Sequence, residues 1–213
     1  MPAAVKICGL KDRTAVAAAV SGGADFVGFV FFPASPRFID PATAGALGAN
    51  VPKAIVKVGL VVDADDATLE KIVAEARIDM LQLHGHETPE RVAAIRARFG
   101  LPVMKALAVA TAADVDAARA YEGVADRLMF DAAPRPGATR PGGNALPFDW
   151  TLLKGLALAK PWLLAGGLTA ANVAQAVRQS GAPGVDVSSG VEDAPGIKSP
   201  EKIVEFLRVA KAL

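Results

Sequence analysis

Cysteine is nearly absent: the 213 residues contain one, Cys8. A single thiol forms no intramolecular disulfide and no cysteine-rich zinc site, so the chain is expected to work in a reducing cytoplasm. An excess of one charge sign is missing too. Lys and Arg number 23 against 22 Asp and Glu, a formal net charge of +1, with the two signs interspersed. That balance leaves no electrostatic footprint for nucleic acid or an anionic membrane. Every apolar run is interrupted by Lys, Asp or Gly before it reaches about 18 residues, so no membrane span is expected. The first residues lack a basic stretch leading into a long apolar one, and no secretory signal is expected either. Of the two histidines, only His84 ends an apolar run. The paired His and Asp ligands of a metal-dependent epimerase are therefore missing, and no metal is expected.

What the chain has is apolar residues, 52% of the total, enough to bury a large core. They recur in short runs: AVKIC (4–8), DFVGFVF (25–31), IVKVGLVV (55–62), MLQLH (80–84), VMKALAV (103–109), RLMFD (127–131), WLLAG (162–166) and GVDVSS (184–189). Helical spacing fills the gaps near 11–21, 41–48, 65–76, 88–99, 111–120, 149–158, 169–179 and 199–211. Start signals stand at Asp12, Thr88 before Pro89, Thr111 before Asp114, Thr169, and Ser199 before Pro200. Strands alternating with helices call for a parallel α/β sheet. Eight of each at this length predict closure into a single (β/α)₈ barrel, the TIM-barrel architecture, with residues 1–213 as one domain. The stretch 133–147 holds four of the fifteen prolines and follows a strand, so it is expected to be a mobile lid.

Barrel interiors are packed, and chemistry gathers where the strands end. The run ends here carry Cys8, His84, Asp131, Gly166–Gly167 and Ser188–Ser189–Gly190, and the loop FFPASPRF after the second run carries Arg37. Gly166, Gly167, Ser188, Ser189 and Gly190 follow the seventh and eighth strands. Glycine there lets backbone N–H groups approach an anion, and a helix N-terminus adds a favourable dipole, so these residues predict a phosphate site. Strands 1 and 6 flank that site. Cys8 and Asp131 would then face each other as a thiolate base and a carboxylic acid able to move protons at neighbouring carbons. The alternative for Cys8 is core filler, and for Asp131 a cap or an ion pair. Lys6 shares a side of its strand with Cys8 and either raises the local positive potential or pairs with a carboxylate. Arg37 reads either as an ordinary surface arginine, the default for this residue type, or, held in its proline-framed loop, as a bidentate carboxylate binder. His84 is suited to orient a substrate or to hydrogen-bond a neighbouring loop, and Asp186 to contact a substrate or to satisfy polar groups in the barrel. Gly9 would turn the chain sharply behind the thiol. His86 reads as a solvated turn residue, and Trp150 and Trp162 as packing.

KICGL, GADFVGFVFFPASPRFI, VGLVVD, LQLHGHE, PVMKALAV, FDAAP, LLAGGLTAANV and GVDVSSGVEDAPGIKS follow one another along essentially the whole chain. In this order they resemble the phosphoribosylanthranilate isomerase family of tryptophan biosynthesis. The resemblance implies an Amadori rearrangement of N-(5-phosphoribosyl)anthranilate to 1-(2-carboxyphenylamino)-1-deoxyribulose 5-phosphate. It maps the base to Cys8 and the acid to Asp131, the anthranilate carboxylate to Arg37, and the phosphate to the glycine and serine loops. No organic cofactor is implied, and the one partner is the small phosphorylated substrate. Two departures stand out. HGHE replaces the frequent HGDE, putting His86 at an acidic position, and GGNALPFDW puts Ala145 and Leu146 where relatives often carry glycine and lysine. The competing readings are a related phosphoribosyl aminoaldose isomerase, which would use two aspartates, and a barrel that binds phosphate without catalysis. The indole-forming barrel of the same pathway would need a lysine acid and glutamates that the strand ends lack. No exposed apolar patch is evident, so a monomer is expected.

Overall fold

A computed structural model describes residues 3–134 and 147–213. Eight parallel strands close into a barrel: β1 (Ala4–Cys8), β2 (Phe26–Val30), β3 (Val56–Val61), β4 (Met80–Leu83), β5 (Val103–Val109), β6 (Arg127–Ala132), β7 (Trp162–Leu164) and β8 (Gly184–Val187). Around them, among the described residues, lie α1 (Arg13–Ser21), α2 (Pro41–Gly48), α3 (Asp66–Ala76), α4 (Pro89–Phe99), α5 (Ala112–Ala117), α6 (Val173–Ser180) and α7 (Pro200–Ala210). The caps explain several starts. The Asp12 carboxylate accepts from the Ala15 N–H, Thr88 caps α4 ahead of Pro89, and Thr111 forms a capping box with Asp114. No helix among the described residues is long and apolar enough to cross a membrane.

Period-two alternation sorts the barrel side chains into layers. Val5 and Ile7 of β1 point outward into the strand–helix core, whereas Lys6 and Cys8 point inward. Phe26, Val58, Met80, Met104, Met129 and Leu163 fill the barrel interior. Cys8, Val30 and Leu60 form a smaller apolar cluster. Among the buried polar residues, Lys6, Gln82, Asp131 and Asp186 come from the inward-facing sides of β1, β4, β6 and β8. Buried polar groups are costly unless partnered, and a packed barrel needs none for its fold.

Three local expectations change. The helix expected over 149–158 is a single 3₁₀ turn, Trp150–Leu153. Gly155 takes a positive φ of 74° and ends it, while Trp150 and Leu153 anchor the turn in the core. The helix expected from Thr169 begins only at Val173. The Asn172 side chain accepts from the Thr169 N–H and donates to the Gly167 carbonyl, which holds the preceding residues as a turn. The eighth run stops at Val187 and passes through a 3₁₀ turn, Ser189–Val191, into an antiparallel hairpin of β9 (Glu192–Ala194) and β10 (Ile197–Lys198). Hydrophobic runs do not signal strands this short. The lid expected at 133–147, like Ala145 and Leu146, falls on residues 135–146, which lie outside the described residues.

One steric point tests the outer layer. A Cβ on Gly45 of α2 would overlap the Glu75 carbonyl oxygen on α3. Gly45→Ala is expected to push the two helices apart and to lower unfolding free energy by about 1–3 kcal/mol in urea titration. Activity of the folded fraction should be unchanged.

Candidate active site

Strand register sets the first pair of groups. Cys8 stands opposite Gly28 of β2, and Lys6 opposite Asp186 of β8. Lys6 is fully buried and donates to Asp186 Oδ1 at 2.8 Å. A Cβ on Gly28 would lie 3.1 Å from both the Cys8 sulfur and the Lys6 Nζ, so glycine here keeps open the space that the two groups share. Burial works against the Lys6 charge, but Asp186 and Cys8 outweigh it, so its pKa is raised. Burial pushes the Cys8 thiol up, and Asp186 pushes the same way, while the Lys6 and Lys198 ammonium groups pull it down. The thiol therefore sits above its ordinary value, with two cations limiting the rise. Gly9 makes the turn behind it at φ 79°, and its N–H and that of Leu10 both donate to the Gly28 carbonyl.

Asp131 is the penultimate residue of β6 and is buried. Its Oδ1 accepts from the Ala132 N–H at 2.8 Å, and its Oδ2 lies 3.3 Å from His84 Nε2. The other ring nitrogen of His84 is 3.1 Å from the Gln82 side-chain amide, so Gln82, His84 and Asp131 form a line across β4 and β6. Gly166 follows β7 at φ 87°. A Cβ there would come 2.7 Å from the Ala132 nitrogen and 3.1 Å from Asp131 Oδ1, so the phosphate-loop glycine also makes room for the carboxyl group.

Arg37 is not a surface arginine. Its stem packs over Gly9, and its Nε and Nη2 donate to the two carboxylate oxygens of Glu192 at 2.7 and 2.9 Å. Lys198 Nζ donates to the same carboxylate at 2.8 Å and to the carbonyl and hydroxyl oxygens of Ser188 at 2.8 and 3.2 Å. Ser188 in turn donates to the Cys8 carbonyl. Burial opposes the charge on Glu192, but the two cations outweigh it and lower its pKa, whereas burial brings Lys198 below the usual lysine value. The β9–β10 hairpin thus clamps the end of β8 against β1.

All of this surrounds one cavity at the C-terminal end of the barrel, about 670 Å³ including its open mouth. Cys8, Arg37, His84, Asp131, Gly166, Gly167, Asp186, Ser188 and Ser189 line it. Gly190 does not. A Cβ on it would overlap the Leu168 carbonyl, so its part is to let the two glycine-bearing loops touch. Gly166 and Gly167 both have positive φ, presenting backbone N–H groups as an anion cradle, but the late start of α6 puts a turn between them and the helix. His86 is exposed and pairs with Asp63 away from the cavity, as expected of a turn residue.

Residues 5–209 match the protein family described as N-(5'phosphoribosyl)anthranilate (PRA) isomerase. The chain belongs to the phosphoribosylanthranilate isomerase family. An N-(5'-phosphoribosyl)anthranilate isomerase of Paramagnetospirillum magneticum is 59% identical over 211 residues, covering 99% of this chain and 98% of the relative. The solved phosphoribosyl anthranilate isomerase of Thermotoga maritima superposes with a TM-score of 0.87 at 32% identity, covering 99% and 100% of the two chains. Another solved member of the family, in complex with reduced 1-(o-carboxyphenylamino)-1-deoxyribulose 5-phosphate, has a TM-score of 0.83 at 31% identity, covering 99% and 100%. Three residues of the site escape sequence reading: Gln82, Glu192 and Lys198. Gln82 had a signal, a polar residue inside MLQL on the same side as His84. Glu192 and Lys198 lie in the quoted segment GVDVSSGVEDAPGIKS, but nothing in its pattern pairs them with Arg37 and Ser188, because only the hairpin turns them back.

Proposed function

We propose that the chain, acting as a single catalytic domain, carries out the reaction for which its family is named, the isomerisation of N-(5-phosphoribosyl)anthranilate in tryptophan biosynthesis. The observation that carries this reading is Cys8 and Asp131 on the wall of one cavity, with the anion cradle of the β7 and β8 loops between their strands. The substrate phosphate sits on Gly166, Gly167, Ser188 and Ser189, whose loops Gly190 allows to approach each other. The part of the Arg37 guanidinium not taken by Glu192 holds the anthranilate carboxylate, with Glu192 fixing its plane. His84 orients Asp131, and Asp186 contacts the sugar.

Protonated Asp131 gives its proton to the ribose ring oxygen. The C1′–O bond breaks as the nitrogen lone pair forms an iminium ion, which acidifies the C2′ proton. The Cys8 thiolate removes that proton, and the C–H electron pair becomes the C1′=C2′ bond of an enolamine while the iminium π pair returns to nitrogen. Transfer of a proton to C1′ and loss of one from the C2′ hydroxyl give the ketone. No step calls for electron transfer.

The purified protein is expected to consume phosphoribosylanthranilate, generated in situ from anthranilate and phosphoribosyl pyrophosphate by a coupled transferase. The readout is loss of anthranilate-type fluorescence. A rate no faster than spontaneous decay rejects the reading.

A further inference from the structure

Lys6 is the largest fully buried side chain of the polar layer, yet it touches no proposed substrate position, and its Nζ shares the space beside Gly28 with the sulfur of Cys8. An ammonium group in a barrel interior is expensive, and one carboxylate is enough to neutralise it. Asp186 already does so at 2.8 Å. A purely structural pair would be served by any pocket of the right size. This pair instead stands two residues before the thiol on the same side of β1, and Gly28 on the neighbouring strand lacks the Cβ that would crowd both Sγ and Nζ at 3.1 Å. Gly28 is not at positive φ, so space rather than backbone conformation is what glycine supplies there.

We propose that Lys6 is the counter-cation of the Cys8 thiolate, a positioning residue held against the sulfur by Asp186 and given access to it by Gly28. The proposal rests on Cys8 as the base and specifies how that base is made available. In the deprotonated, reactive form of the enzyme the ammonium lies between two anions, the thiolate and the Asp186 carboxylate. When the sulfur takes the C2′ proton it becomes neutral, and Lys6 stays charged and paired with Asp186 alone. The proton gained comes from the substrate carbon, so Lys6 neither gives nor receives one. Lys198, beyond Ser188, is the second cation acting on the thiol, and Asp186 is the anion opposing both. Burial alone would push the thiol further up, and Lys6 supplies the larger of the two cationic corrections.

The single cysteine makes the test direct, because any thiol signal is Cys8. Iodoacetamide alkylation of the free enzyme is followed against pH for the wild type, Lys6→Met, and the Lys6→Met/Asp186→Asn double variant, with thermal melting to confirm folding. Lys6→Met should raise the alkylation midpoint by about one unit or more, a tenfold loss of thiolate at fixed pH. The kcat–pH profile should move the same way with KM little changed. The double variant leaves no orphan charge, so it should fold even if Lys6→Met does not, and its midpoint should lie above wild type. A midpoint for the double variant equal to that of the wild type would show a purely structural pair and overturn the proposal, as would an unshifted Lys6→Met. Failure of the base assignment is read separately, from activity retained by Cys8→Ala.

Discussion

Cys8→Ala is expected to cut kcat by about 10²–10⁴, the range for loss of one positioned acid–base group, with KM nearly unchanged. The substitution removes a sulfur from the mouth layer of Val30 and Leu60 and leaves the Lys6–Asp186 pair intact, so folding should survive. With Cys8 as the proposed base, the wild-type rate should rise with pH, because the thiolate is then the reactive form and burial holds the thiol above its ordinary value of about 8.5. Working the sign through, the fraction of thiolate increases tenfold per unit below that pKa, so the ascending limb of kcat extends into alkaline solution. Steady-state kinetics from pH 6 to 10 measures both effects. Full activity in Cys8→Ala would assign the base elsewhere.

Asp131→Asn should be equally severe and kinetically distinct. Asparagine keeps the size of the side chain and can accept from the Ala132 N–H, yet it has no proton to give the ring oxygen. Turnover is expected to fall by about 10²–10⁴. The two variants block different steps, and substrate deuterated at C2′ separates them. In Cys8→Ala proton abstraction becomes limiting and the primary isotope effect should grow. In Asp131→Asn ring opening becomes limiting and the effect should collapse towards unity. If both variants gave the same isotope effect, the division of labour between sulfur and carboxyl would be wrong.

The barrel was legible because its signals are local and repetitive. Apolar runs of strand length, each followed by helical spacing and often by a cap, specify the βα unit wherever it occurs. The unit failed to read where one residue overrode the pattern. Gly155 cut the sixth helix to a turn, and Asn172 delayed the start of α6 by bonding to Gly167 and Thr169. The positions of Cys8, His84, Asp131 and the glycine loops were legible for a related reason, since each ends a run and strand ends share one face of a barrel. Arg37 was legible as a carboxylate binder, but its bidentate partner within the chain is Glu192.

By itself, then, the sequence determined the architecture, the face that carries the chemistry and the identity of the groups on it. Period and strand order are one-dimensional properties that pairing in a closed parallel sheet preserves. Only the tertiary structure decided what stands beside each group. Lys6 meets Asp186 across 180 residues of chain, Arg37 meets Glu192 across 155, and Gly28 makes space for a sulfur and an ammonium from the neighbouring strand. Those neighbours set the charge and orientation of the reactive groups. Electrostatic interaction falls with distance through the fold and takes no account of separation along the chain.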